Sequence, residues 1–163
     1  MVKMSVPRVL LVCLGNICRS PMAQGLFEHH ARRLGCQAVI DSAGLADFHV
    51  GKRPDARAIE AAKARSIDIA HLTARQVMDH DFYRFDQIFA MDMANLSDLR
   101  ARQPQDSMAT VALVMGLVDP LGEPAAVPDP YFGDRSGFES VFEMLDQAAS
   151  AWAAQVTLAH KGG

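Results

Sequence analysis

The chain has 163 residues, half of them hydrophobic and about a fifth charged, a composition typical of one globular domain with a sizeable core. Its net charge is −3 with both signs interspersed, which favours neither a nucleic-acid interface nor a patch for anionic membranes. The apolar run near the N-terminus is too short to span a bilayer and lacks a small-residue cleavage pattern, so we expect a cytoplasmic protein without membrane insertion.

The first elements along the chain are predicted to be a strand, a helix and a second strand. Residues 8–12 (RVLLV) form a short apolar run bounded by turn residues, which is typical of a buried strand. Ser20 and Pro21 then fit the N-cap and first position of a helix, and Gly35 is a suitable stop for it. A second strand is predicted over residues 36–42.

The middle of the chain continues the alternation. An Ala-rich helix is predicted over residues 54–65, and a short helix over residues 73–80 with Thr73 as its N-cap. Residues 85–91 are predicted to form a third core strand, and residues 93–102 another helix.

The last third contains a strand, a long loop and a long helix. The strand is predicted over residues 110–115, and four prolines mark residues 119–134 as loop. Apolar residues then recur at helical spacing from Phe138 to Val156, which predicts a long amphipathic helix.

Strands that alternate with helices predict an α/β fold: a single domain over residues 1–163, in which a four-stranded parallel sheet has helices on both faces. We expect flexible ends at about residues 1–6 and 160–163. In such sheets ligands bind beyond the carboxyl ends of the strands. The first strand ends at Cys13, so the segment that follows it is the expected location of a site.

The segment from Cys13 to Arg19 (CLGNICR) has the chemistry of an anion site. A loop between a strand and a helix N-terminus can direct backbone N–H groups inward, and Gly15 gives the loop the freedom to turn tightly. Arg19 can donate two parallel hydrogen bonds to phosphate oxygens. Such a positive environment favours the thiolate form of Cys13, which is then a nucleophile. The nucleotide-binding motif G-x-x-x-x-G-K-[ST] is absent, so covalent attack on a phosphate or a similar oxyanion is favoured.

The sequence VCLGNICRSP over residues 12–21 resembles the signature of the low-molecular-weight protein tyrosine phosphatases. The resemblance continues in order along nearly the whole chain, through DSAG (41–44), GKRPD (51–55), TARQ (73–76), FDQIFAMDMANLSDL (85–99) and VPDPYFG (127–133). It implies a three-layer α/β/α domain with the phosphate-binding loop after the first strand. It also implies hydrolysis of phosphotyrosine through a cysteinyl-phosphate, without a cofactor or metal.

The resemblance assigns the catalytic roles. Cys13 is the expected nucleophile, Arg19 the phosphate-binding arginine and Asp129 the general acid and base. From the residues alone Asp129 is only modestly favoured over Asp119, because both begin an Asp-Pro pair in the same loop. The other members of the phosphate-binding loop are expected to be Leu14, Gly15, Asn16, Ile17, Cys18 and Ser20.

Further roles concern support and specificity. Ser20 is expected to hydrogen-bond the Cys13 sulfur, and the resemblance implies that Ser42 and His71 hold Asn16 in a strained backbone conformation. A residue such as Asn tolerates positive φ better than most, which fits this role. The expected substrate pocket is an apolar slot for a phenyl phosphate, formed with Leu14 and Ile17 by the aromatic residues Phe48, Tyr131 and Phe132.

Three cysteines, Cys13, Cys18 and Cys36, suit neither a disulfide framework nor structural zinc. An oxidised cysteine in the form of a sulfenic acid can be trapped by a neighbouring thiol. We therefore hypothesise a reversible Cys13–Cys18 disulfide that protects the nucleophile.

Three other functions remain open. Arsenate reductase on the same fold needs further cysteines to carry a disulfide relay, and residues 80–90 contain none. A protein-arginine phosphatase is disfavoured by Ile17, where a smaller polar residue suits a guanidinium. A non-catalytic phosphotyrosine-binding module usually lacks the nucleophile, the arginine or the acid, all present here. The expected partners are phosphotyrosine proteins, among them a bacterial tyrosine kinase; the oligomeric state is left open.

Overall fold

The structure is a computed structural model that describes residues 6–162. The flexible ends expected from the sequence fall partly on residues 1–5 and 163, which lie outside the described residues. The strands are β1 (Arg8–Cys13), β2 (Val39–Gly44), β3 (Gln87–Ala90) and β4 (Thr110–Leu113). The helices are α1 (Arg19–Arg33), α2 (Ala56–Lys63), α3 (Asp81–Arg84), α4 (Met93–Arg102) and α5 (Arg135–Gly162), with a 3-10 turn over Val114–Leu117.

The described strands form one parallel sheet in the order β2-β1-β3-β4, which confirms the predicted α/β class. Successive side chains of a strand point to opposite faces of the sheet. The buried residues of β1 therefore belong alternately to two hydrophobic clusters, one on each face. Val9 and Leu11 belong to a cluster that includes residues of α1, α2 and α5. Leu10 and Val12 belong to a second cluster, with residues of α3 and α4. The sheet is therefore the middle of three layers.

The long helix α5 closes the first of these clusters. Trp152 is completely buried and its ring lies 5.1 Å from that of Phe27. Its indole N–H donates to Gln87 Oε1 at 3.0 Å, so the polar atom of the ring is paired. Across residues 6–162, none of the helices has the length and apolar character that a membrane crossing requires.

The prediction of a helix over residues 73–80 is wrong, because this segment is not helical in the structure. Its backbone is held by the carboxyl end of β2: Gly44 N–H donates to Arg75 O and Val77 N–H donates to Gly44 O, each at 2.8 Å. Gln76 forms a parallel bridge with Gly44. Helical structure begins later, in α3, because the sheet satisfies backbone groups that a helix would otherwise pair internally. The predicted fourth strand also ends early, since residues 114 and 115 belong to the 3-10 turn.

Candidate active site

The loop after β1 folds around the sulfur of Cys13; we call residues 13–19 the phosphate loop. Cys13 is buried, and the N–H of Asn16 donates to its Sγ at 3.3 Å. Asn16 has a φ of 59°, in the left-handed region. The strained backbone expected at Asn16 is thus confirmed. The loop runs directly into α1 at Arg19, so a helix N-terminus faces the same space.

The side chain of Asn16 is the centre of a buried hydrogen-bond network. Its Nδ2 donates to Ser20 Oγ at 2.7 Å and to Ser42 Oγ at 3.0 Å, and its Oδ1 accepts from the Arg75 backbone N–H at 3.0 Å. Ser42 in turn donates to Gln24 Oε1 at 2.7 Å. The expected contact of Ser42 with Asn16 is confirmed. These bonds hold the left-handed residue that shapes the loop.

The expected contact of His71 with Asn16 is wrong. The His71 side chain is exposed, and its Nδ1 lies 3.8 Å from Asp68 at the surface. Asn16 Oδ1 instead accepts from the backbone N–H of Arg75. The extended segment around Arg75 packs against the end of β2, and His71 precedes it by four residues.

Ser20 contacts the sulfur as expected. Its hydroxyl lies 3.0 Å from Cys13 Sγ, and Ser20 is completely buried. Because Ser20 Oγ already accepts from Asn16 Nδ2, its own hydrogen is available for the sulfur. A donor in this position stabilises a thiolate more than a thiol.

Arg19 is buried and fixed by two acceptors. Its Nη1 donates to Asp92 Oδ2 at 2.7 Å and to Val127 O at 3.0 Å. Asp92 also accepts from the N–H of Asn95 at 2.8 Å as the N-cap of α4. Sequence reasoning missed Asp92, although its position two residues after the end of β3 places it at the carboxyl edge of the sheet. The ion pair fixes the plane of the guanidinium fork.

The expected acid, Asp129, lies close to this arginine. Its Oδ2 is 3.8 Å from Arg19 Nη2, and its Oδ1 accepts from the Tyr131 N–H at 3.0 Å. Asp119 instead accepts from the N–H of Gly122 at 3.0 Å in an exposed turn. Of the two Asp-Pro pairs in the loop, the structure therefore brings Asp129 to the phosphate loop.

A cavity of about 280 Å³ lies over the phosphate loop. Cys13, Arg19 and Asp129 line it together, and its remaining walls are Leu14, Gly15, Ile17, Cys18, Phe48, His49, Tyr131 and Phe132. Tyr131 and Phe132 meet edge to face with their ring centroids 5.0 Å apart. Phe48 and Phe132 are largely exposed, so they form the mouth. Sequence reasoning missed His49, whose ring lies 6.3 Å from that of Tyr131.

Of the other two cysteines, Cys18 lies in the phosphate loop and Cys36 lies away from the cavity. Burial strongly raises the pKa of the Cys18 thiol, and the nearby charge of Asp55 adds to this. Cys18 is therefore a neutral thiol, although it lies in the same loop as Cys13. Burial raises the pKa of the Cys36 thiol as well.

The Cys13 thiol, the fixed Arg19 guanidinium and the Asp129 carboxyl group line one cavity, and cysteine-dependent phosphoryl transfer requires groups of these three kinds. Comparison with known proteins gives the family. The family model for low molecular weight phosphotyrosine protein phosphatase matches residues 8–161. The chain therefore belongs to the low molecular weight phosphotyrosine protein phosphatase family, and it is a protein tyrosine phosphatase.

Individual relatives agree with this assignment. The chain is 44% identical over 141 residues to the Schizosaccharomyces pombe low molecular weight phosphotyrosine protein phosphatase, which covers 85% of this chain and 89% of the relative. The crystal structure of a protein tyrosine phosphatase from Entamoeba histolytica is similar with a TM-score of 0.87 at 31% identity, covering 94% and 99% of the two chains. The structure of DARP, a Drosophila arginine phosphatase, is also similar, with a TM-score of 0.83 at 29% identity, covering 91% and 95%.

Proposed function

We propose that this chain hydrolyses phosphotyrosine in proteins in two steps through a cysteinyl-phosphate. In the first step Cys13 Sγ attacks phosphorus, the bond between phosphorus and the phenolic oxygen breaks, and Asp129 gives its proton to the departing oxygen. In the second step Asp129 accepts a proton from water, the water oxygen attacks phosphorus, and the thiolate leaves. The observation that carries the proposal is that Cys13, Arg19 and Asp129 line one cavity with aromatic walls.

Charge on the transferring phosphoryl group is matched by the residues around it. Arg19 Nη1 is engaged by Asp92 and Val127, so Nε and Nη2 are the donors for two phosphate oxygens. The N–H groups of the phosphate loop and the N-terminus of α1 add further positive dipoles. Ser20 stabilises the thiolate, both before it attacks and when it leaves.

An aryl phosphate fits the walls better than a phosphoguanidine. The apolar side chain of Ile17 lines the cavity beside Leu14, and a guanidinium placed against it would lack hydrogen-bond acceptors there. The flat ring of phosphotyrosine gains contact with Tyr131 and Phe132 instead. Since one structural relative is an arginine phosphatase, the two substrate classes need a direct comparison.

Arsenate reduction is disfavoured because it needs a cysteine relay that leads away from Cys13. Cys18 lies within the phosphate loop, and Cys36 lies outside the cavity. A non-catalytic binding role is disfavoured because nucleophile, arginine and acid are all in place. We also propose that peroxide oxidises Cys13 to a sulfenic acid. The Cys18 sulfur then attacks Cys13 Sγ, and the thiol proton of Cys18 goes to the departing hydroxide, so that a disulfide forms and water is released.

The decisive experiment measures hydrolysis of 4-nitrophenyl phosphate and of a phosphotyrosine peptide, in EDTA, by wild type, Cys13→Ser and Asp129→Asn. We expect turnover by wild type, none by Cys13→Ser, and a loss of about 10²–10⁴-fold on the peptide in Asp129→Asn. Turnover that survives Cys13→Ser contradicts the mechanism. A phosphoarginine peptide hydrolysed faster than the phosphotyrosine peptide contradicts the substrate class.

The redox step has its own test. After peroxide treatment, dithiothreitol should restore activity to wild type better than to Cys18→Ser, because only wild type can store the oxidised nucleophile as a disulfide. Equal recovery of the two proteins contradicts the protective role. The natural substrates are best sought by trapping with Cys13→Ser, and a tyrosine kinase is the first candidate to look for among captured proteins.

A further inference from the structure

The segment that carries Asp129 is attached to the rest of the protein at both of its ends; we call residues 127–133 the acid loop. At its start the Val127 N–H donates to Met91 O at 2.8 Å, and Val127 O accepts from Arg19. At its end the main-chain carbonyls of Tyr131 and Gly133 accept from one side chain, that of Arg57 at the start of α2.

The contacts of Arg57 use the whole guanidinium. Nη2 donates to Tyr131 O at 3.0 Å and Nη1 donates to Gly133 O at 3.1 Å. The other edge, Nε and Nη2, is paired with the two carboxylate oxygens of Asp55, each at 3.0 Å. The guanidinium carbon also lies 4.5 Å from the centre of the buried Phe138 ring. A planar group held on both edges and on one face has little freedom to move.

Asp55 connects this arginine to the phosphate loop. Its backbone N–H donates to Ile17 O at 2.8 Å, and its carboxylate caps α2 through the Arg57 N–H at 2.8 Å. One continuous set of hydrogen bonds therefore runs from the phosphate loop through Asp55 and Arg57 to the acid loop. Its last step reaches the acid itself, since the Tyr131 N–H donates to Asp129 Oδ1 at 3.0 Å.

We propose that Arg57 is a positioning residue that sets the place of Asp129 relative to Cys13 by holding the Tyr131 and Gly133 carbonyls. This inference rests on the proposed function. Arg57 does not line the catalytic cavity, so it acts through the main chain of the acid loop. Proton transfer requires the carboxyl group within hydrogen-bond reach of the departing oxygen. Loss of Arg57 should therefore weaken proton donation more than phosphate binding.

Leaving groups of different acidity separate these two effects. The phenolate of 4-nitrophenyl phosphate departs with little help, whereas that of phenyl phosphate needs a proton. In Arg57→Met we expect kcat/KM for phenyl phosphate to fall by about 10–100-fold, since a misplacement of 1 Å can cost about 10²-fold. We expect a fall of about 3-fold or less with 4-nitrophenyl phosphate, and an unchanged inhibition constant for inorganic phosphate.

Two further variants separate the positioning of Asp129 from a general loss of structure. In an Asp129→Asn background Arg57→Met should cost little more, because there is no proton left to position. The matched control is Arg65→Met. Arg65 also pairs with a carboxylate, Glu143, and lies over an aromatic ring, that of Phe142, at 5.6 Å, but neither contact is to the acid loop. We expect it to leave both kcat/KM values unchanged.

The outcomes distinguish the inference from the function on which it rests. Absent or Cys13-independent hydrolysis by wild type overturns the proposed function. If wild-type hydrolysis depends on Cys13, equal losses for the two substrates in Arg57→Met, or a full further loss in the Asp129→Asn background, overturn the positioning role alone. If Arg57→Met does not fold, Arg57→Lys is used in its place. A single ammonium group cannot replace the guanidinium fork that holds both carbonyls. The leaving-group dependence of Arg57→Lys should lie between those of wild type and Arg57→Met.

Discussion

Gly44 offers a direct test of how tightly the phosphate loop is packed. It is the last residue of β2 and lies opposite Cys13 in the parallel register. Its backbone is fixed on the other side, because its N–H donates to Arg75 O and its carbonyl accepts from Val77 N–H, both at 2.8 Å. A Gly44→Ala substitution therefore adds a methyl group to a backbone that has little freedom to withdraw.

The added Cβ would meet the main chain of the phosphate loop. It would lie 2.9 Å from Leu14 O, 3.1 Å from Gly15 C and 3.2 Å from Asn16 Cβ. Ordinary contact begins near 3.4 Å, so the loop must move by about half an ångström. Overpacking of this kind costs about 1–3 kcal/mol of stability. Since a displacement of 1 Å can cost about 10²-fold in rate, we expect kcat/KM to fall by about 10-fold.

The assay compares Gly44→Ala with Gly116→Ala, whose added Cβ would lie 3.8 Å from Pro124 Cγ, an ordinary contact. Thermal melting gives the loss of stability. Hydrolysis of 4-nitrophenyl phosphate and inhibition by inorganic phosphate report the phosphate loop. We expect Gly116→Ala to stay near wild type in all three. Wild-type kcat/KM and phosphate inhibition in Gly44→Ala would refute the packing argument.

Three further predictions concern stability. Asn16→Ala loses three hydrogen bonds, which together contribute about 3 kcal/mol to stability. It also keeps the cost of the left-handed backbone, about 1 kcal/mol, which Asn16→Gly avoids. Urea unfolding should therefore show that Asn16→Gly is more stable than Asn16→Ala, and the reverse order contradicts a strained φ. The side-chain hydrogen bond from Arg57 lowers the pKa of Asp55, so Asp55 contributes stability fully above about pH 4 and loses it as pH falls through the lowered value. The stability difference between wild type and Asp55→Asn should therefore narrow below about pH 4, and a constant difference contradicts the ion pair. Trp152→Ala should cost about 3–5 kcal/mol in urea unfolding because the ring is completely buried; a loss below about 1 kcal/mol contradicts its place in the core.

The fold could be predicted where local pattern and tertiary environment agree. Residues 93–102 were predicted as a helix and form α4 with the same bounds. The failure at residues 73–80 has a physical cause. Thr73 is a good N-cap by type, but the backbone around Gln76 pairs with the end of β2, which is distant in sequence. Local helix propensity takes no account of a partner that is distant in sequence, and here the tertiary contact overrides the propensity.

The site likewise contains residues that the local sequence predicts and residues that it does not. Cys13 and Arg19 belong to one loop between a predicted strand and a predicted helix, and this context together with their spacing indicated an oxyanion cradle. Asp129 lies far along the chain, and the residues themselves did not separate it from Asp119; the resemblance made the choice, and the structure places Asp129 at the cavity. The contact of Arg75 with Asn16 could not be predicted, because a backbone N–H has no signature in the sequence.

The place of Arg75 is nevertheless determined by side chains. Its guanidinium donates to both oxygens of the buried Asp81, at 2.9 and 3.0 Å, and to Asp41 Oδ2 at 3.1 Å. Asp81 also accepts from the Met78 N–H at 2.8 Å. These ion pairs fix the extended segment whose amide holds Asn16, just as the Asp55–Arg57 pair fixes the end of the acid loop. In both cases an ion pair outside the cavity includes an arginine whose side chain or backbone hydrogen-bonds a residue of the site, Tyr131 for Arg57 and Asn16 for Arg75. Neither Arg57 nor Arg75 lines the cavity. We therefore expect substitutions of these two arginines to lower the rate of hydrolysis before they change substrate choice.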